Sequence, residues 1–193
     1  TGSKNTMKGL GFFLGGLLLL EFGFQGAICV LLAPIVIAIV SSLFLLKKEI
    51  GKSEYKPKFR EVFSGSKSVN RLSAARFFLF GSRDIWFVIA LPVYLSETLE
   101  WSHWQIGAFM AAWVVGYGLI QALAPKLTGS YDSTLPTAKL ANWGLLLAII
   151  PTLIAVALSN SLDPSVTIII GILIFGIIFA INSALHSYLI VEM

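Results

Sequence analysis

Apolar residues run along this chain in long, nearly unbroken blocks separated by short polar connections. One bilayer crossing needs about 20 mostly apolar residues. The first block, Gly9 to Leu46, is too long for that, since a straight helix over it would reach roughly 57 Å at 1.5 Å per residue. The polar, glycine-bearing stretch Glu21-Phe22-Gly23-Phe24-Gln25-Gly26 offers a chain reversal, which predicts helices near 7–22 and 27–46. Four further blocks predict helices at about 74–95, 105–124, 137–158 and 166–190. None of the blocks alternates as a barrel strand would. An all-α membrane protein with six transmembrane helices is therefore expected.

Composition strengthens this reading. Of 193 residues, 56% are hydrophobic and only 12% charged, and the mean hydropathy is +0.85. Soluble domains carry about 25% charged residues. A soluble enzyme and a secreted disulfide scaffold are both excluded. The single cysteine, Cys29, lies in an apolar run and reads as a small buried hydrophobe. It supplies neither a disulfide framework nor a thiolate metal cage, and no metal or other cofactor is expected.

The formal charge of +4 would fit nucleic acid, but its distribution does not. Lys4 and Lys8 precede the first helix, and nine basic residues from Lys47 to Arg76 fill or border the long connection after the second. Lys126 and Lys139 flank the loop after the fourth, while the connections 96–104 and 159–165 hold no lysine or arginine. Thirteen of the fourteen basic residues thus fall on one side, which the positive-inside rule makes the cytoplasm. Both ends of the chain are expected there, and the chain reads as an excerpt of a longer protein. Within the basic connection, Phe59, Val62 and Phe63 share one helical face among Lys58, Arg60 and Glu61. That spacing fits a short amphipathic helix on the inner membrane surface or a solvated loop.

Tight outer turns and one long basic inner loop resemble the middle of a major facilitator superfamily transporter. The six spans would be helices five to ten of twelve. Residues 1–46 would then end the N-terminal bundle, 47–73 form the inter-bundle loop, and 74–193 open the C-terminal bundle. The run Gly11-Phe12-Phe13-Leu14-Gly15-Gly16 is similar to the glycine-proline-x-x-glycine-glycine signature on helix five of antiporters in that superfamily, with Phe12 in place of proline. On physical grounds, Gly11 and Gly15 put two side-chain-free positions on one face for close helix packing. The run Gln121-Ala122-Leu123-Ala124-Pro125-Lys126 stands where the inner-loop motif after helix eight is expected, without its acidic residue.

The stretch from Lys56 to Leu95, continuing into SHWQIG and GYGLIQALAPKL, resembles the organoarsenical efflux permeases, which export 1-arseno-3-phosphoglycerate. That resemblance implies a monomeric, cofactor-free exporter of a small anion, working by alternating access in a bacterial inner membrane and conferring arsenate resistance.

Arg83 and Asp84 carry the most informative charges. With the third span starting near Ser73, they lie roughly 15 Å into it. A charge at that depth costs about 2.5–3.5 kcal/mol on insertion scales, so it should face a cavity or a partner. Neighbours in a helix do not face each other, so separate partners or water are expected for the two. Arg76 lies two turns below on the face of Arg83, and the pair could grip phosphate-like oxygens through their planar donors. An interhelical ion pair, or for Arg76 a snorkel to the headgroups, is the structural alternative. Trivalent arsenic would want soft thiolates instead.

Trp113, Tyr117 and Gln121 form a stripe on the fourth span; Phe175, Phe179, Asn182 and His186 form another on the sixth. Both could line a substrate path or simply pack, and His186 reads as satisfied or snorkelling. Asp84 and Glu21 are the proton-coupling candidates, with Glu21 equally readable as an interfacial turn residue. Uniport fits as well, because an inside-negative potential drives anions outward. A multidrug or other organic-anion antiporter is the alternative, and it would have a greasier cavity with Arg83 tied to a carboxylate. A membrane enzyme would need clustered ligands or an activated nucleophile, and none is evident.

Overall fold

A computed structural model of the chain describes residues 2–46, 65–128, 137–160 and 162–192. The expected amphipathic segment around Phe59, Val62 and Phe63, and most of the basic connection, lie outside those residues. What is described is helical: α1 (Gly2–Leu45), α2 (Lys67–Arg83), a π-helical segment (Asp84–Ala90), α3 (Leu91–Glu97), α4 (His103–Thr128), α5 (Thr137–Ser159) and α6 (Pro164–Glu192). Five continuous helical stretches are long and apolar enough to cross a membrane.

The first of these stretches, Asn5–Leu45, consists of two helices that meet at a kink at Gly23, within the break expected between the first two of six helices. Where a reversal is expected over 21–26, the structure has a kink at one residue, Gly23, with φ 65° and ψ −176°. This backbone region is essentially closed to residues with a Cβ. Helix runs right up to it on both sides, so the two helices within α1 meet at a kink with no loop between them. Beyond the break, residues 28–40 are exposed on every face. Cys29 is among them, so the expectation that it is buried does not hold.

The third span is one rod made of α2, the π segment and α3. The π segment is closed at its end by the Leu91 N–H donating to the Trp86 carbonyl, five residues back. Pro92 follows directly. It has no N–H to offer and its ring crowds the preceding turn, which a wider turn just before it relieves.

Local chemistry sets the outer starts of α4 and α6. Ser102 and Gln105 form a capping box, with the Ser102 N–H and Oγ both donating to Gln105 Oε1 at 2.8 Å. Asp163 Oδ1 accepts the Val166 N–H at 2.8 Å, with Pro164 in the first turn of the helix.

Helix α4 lies between α1 and α6, and α6 also packs on α5. The core between them is aromatic and aliphatic, with Phe87, Leu91, Leu95, Met110, Trp113, Ile172 and Phe179 buried. The α1–α4 seam is unusually close at Gly16 and Gly107. A Cβ on Gly16 would lie 2.7 Å from the His103 carbonyl oxygen, and one on Gly107 2.7 Å from that of Phe12. Gly11 and Gly15, expected to form the packing face, have open space where a Cβ would stand. The helix rotation therefore presents Gly9 and Gly16 to α4 instead, seven residues apart on one face.

Candidate functional site

Arg83 closes α2 at the point where the helix widens into the π segment. Its side chain is 15% exposed, whereas that of Asp84 is 52% exposed. The two are ion-paired: Arg83 Nε donates to Asp84 Oδ1 at 2.7 Å, and Nη2 donates to the same oxygen. The expectation of separate partners is therefore overturned. It treated side chains as radial spokes, but the flexible arginine stem curls around the helix and reaches the next residue. Asp84 engages Nε and Nη2, and Nη1 takes no part in either bond.

Aromatic rings hold the guanidinium from the other side. It lies 5.3 Å from the Phe80 ring centroid and 5.1 Å from that of Phe179. Arg76 lies 5.0 Å from the same Phe80 ring, and its Nη1 donates to Ser187 Oγ at 3.4 Å. The two arginines thus share one face, with Phe80 between them, as the 76-80-83 spacing predicts. Cation–π contacts of this kind strengthen as water is withdrawn.

Arg83 and Asp84 line a cavity of about 460 Å³ between α1, the π segment and α4. Lys8, Asn5 and Phe12 enter from α1, and Trp113, Val114 and Tyr117 from α4. Arg76 is not among the residues lining it. Lys8, which the sequence shows only as one of the inner charges, has no ion-pair partner among the described residues. The spacing of Asn5, Lys8 and Phe12 at i, i+3 and i+7 was the available signal.

The stripe Trp113-Tyr117-Gln121 lies on one face, but its polar atoms are already engaged. The indole N–H of Trp113 donates to the Ile172 carbonyl at 2.9 Å, and its ring seats over Gly176, where a Cβ would come within 2.7 Å of Nε1. That leaves the ring faces for contact, stacked with Tyr117 at 5.6 Å. Tyr117 OH lies 2.8 Å from Ser183 Oγ, and Gln121 Nε2 donates to the same oxygen at 3.0 Å. Asn5 Nδ2 donates to Gln121 Oε1 at 3.3 Å. Fully buried Ser183 and Asn5, neither singled out by sequence reasoning, thus tie α1, α4 and α6 together.

The second stripe is also a single face, but it looks elsewhere. Phe175, Phe179, Asn182 and His186 line a different cavity, bounded by α2, the π segment, α5 and α6. Asn182 is thus apart from the cation-bearing cavity it was expected to share. His186 is buried with Nδ1 unpartnered among the described residues, neither satisfied nor snorkelling as expected. Glu21 is exposed on α1, two residues before the break at Gly23. No group of metal-ligating side chains occurs among the described residues.

The arrangement is a largely apolar, cation-bearing hollow between long apolar helices, of a size suited to a small solute. No curated protein and no solved structure matches the chain. The family model of the Major Facilitator Superfamily matches residues 5–193. With its long apolar helices, its close α1–α4 seam and its charged cavity, the chain belongs to that superfamily of multi-pass membrane transporters.

Proposed function

We propose that the protein exports a phosphate-like organic anion, of the arsenate-ester type typified by 1-arseno-3-phosphoglycerate, through the cavity of Lys8 and Arg83. The observation that carries this reading is the pairing of charges there: two cations face one carboxylate, and Lys8 has no partner among the described residues. Lys8 is exposed at this half-open, largely apolar cavity, where an unpaired cation attracts an anion. Arg83 adds planar donors for oxyanion oxygens. A volume near 460 Å³ falls within the span of small-molecule sites. Lys8 lies in the segment assigned to the N-terminal bundle and Arg83 in the C-terminal one. Rocking of two bundles about such a site would expose it to each side in turn.

The Arg83–Asp84 ion pair favours a second reading, a multidrug or organic-anion antiporter in which Asp84 carries the coupling proton. One experiment separates the two. The full-length parent protein is expressed in an arsenate-sensitive bacterium together with the enzyme that forms the arsenate ester, and resistance and cell arsenic are measured. The anion reading expects higher resistance and lower arsenic than empty vector. No difference from vector overturns it.

A further inference from the structure

Three buried side-chain atoms have no hydrogen-bond partner among the described residues: Trp86 Nε1, Asn182 Oδ1 and His186 Nδ1. All three residues line the second cavity, of about 770 Å³. Asn182 is only 1% exposed and His186 5%. Folded proteins pair nearly all such groups, and each exception requires a cause. Here three exceptions, drawn from two separate elements, converge on a single space. That space is otherwise largely apolar, and among the described residues neither an acid nor a lysine or arginine lines it. At the ring of Phe179 it meets the neighbourhood of Arg83, yet the two cavities have opposite chemistry.

We propose that this cavity binds an uncharged amphiphile drawn from the bilayer, with a hydroxyl or carboxamide head and an apolar body. The head accepts a hydrogen bond from Trp86 Nε1 and donates one to Asn182 Oδ1. His186 Nδ1 adds a donor or an acceptor according to its tautomer. A net charge would find no carboxylate, lysine or arginine in the described lining, which favours an uncharged head. The body lies along Leu79, Leu147 and Phe175. Phe78, also lining the cavity and 71% exposed, marks the open side toward the hydrocarbon. The volume is in the upper part of the range for small-molecule sites. This site is independent of the anion cavity and does not rest on the transported substrate.

The test uses the full-length protein in lipid nanodiscs and a photoreactive diazirine analogue of octadecanol, with labelled residues mapped by mass spectrometry. Label should concentrate around Trp86 and Asn182. Excess octadecanol should suppress it at least fivefold, and stearate should not. Gly144 lines the cavity and has open space at its Cβ position, so Gly144→Leu fills the site without a backbone clash. That variant should lower labelling at least fivefold and leave anion export unchanged; Asn182→Leu should lower labelling as well. Label spread evenly over the lipid-facing helices overturns the proposal. So does labelling that survives Gly144→Leu, or its absence from this cavity because another segment of the chain fills it.

Discussion

Arg83 donates twice to one oxygen of Asp84 and rests against two phenylalanine rings. Lysine would keep the charge but lose the planar fork. Arg83→Lys is therefore expected to reduce anion export about tenfold or more, since a charge-assisted hydrogen bond contributes about 1.5–3 kcal/mol. Lys8→Gln should raise KM for the anion with a smaller effect on kcat. Asp84→Asn discriminates between the two transport readings. It frees Nε and Nη2, so anion export should persist or rise; under proton antiport, pH-driven efflux in inverted vesicles should collapse. Ser183 supports a different expectation. It is buried and serves both Tyr117 and Gln121, so Ser183→Ala leaves two polar groups short of a partner. A loss of about 1–3 kcal/mol follows, readable as a lower Tm in detergent.

At the scale of helices, the α1–α4 seam depends on two glycines and not on the whole motif. Gly16→Leu drives a side chain into the backbone of α4, and overpacking of that sort costs about 1–3 kcal/mol or more. Gly11→Leu meets open space and should leave stability unchanged; a thermal-unfolding comparison of the two variants checks this. The break at Gly23 is equally specific. Gly23→Ala places a Cβ in a backbone region that excludes it, at a cost of about 1–3 kcal/mol. The π segment lies just where the charged pair meets the cavity. Such wide turns often mark functional positions in helices, and Pro92 supplies the local reason for this one.

For the whole molecule, the distribution of lysine and arginine predicts which side each connection occupies. In a Cys29→Ser background, Glu100→Cys should react with an impermeant maleimide on intact cells. Lys126→Cys should react only after permeabilisation. The reverse pattern would invert the assigned orientation and place Lys8 and Arg76 near the outer surface.

The long apolar helices, the helical class and the superfamily were all legible in the chain. Each depends on properties that add up along one dimension: apolar length against bilayer thickness, and the count of cations in each connection. The shared face of Arg76 and Arg83 was legible too, because helical spacing alone decides it. What each face looks at was not. The rotation of one helix against its neighbour is set by packing, and a modest turn about the axis exchanges one set of partners for another. That rotation put Gly16 rather than Gly11 against α4, brought Lys8 to the cavity that Arg83 also lines, and turned Asn182 toward a separate cavity. The backbone conformation of Gly23 likewise confined the break near Glu21 to one residue, and the flexible arginine stem joined Arg83 to the neighbour that ideal helix geometry turns away.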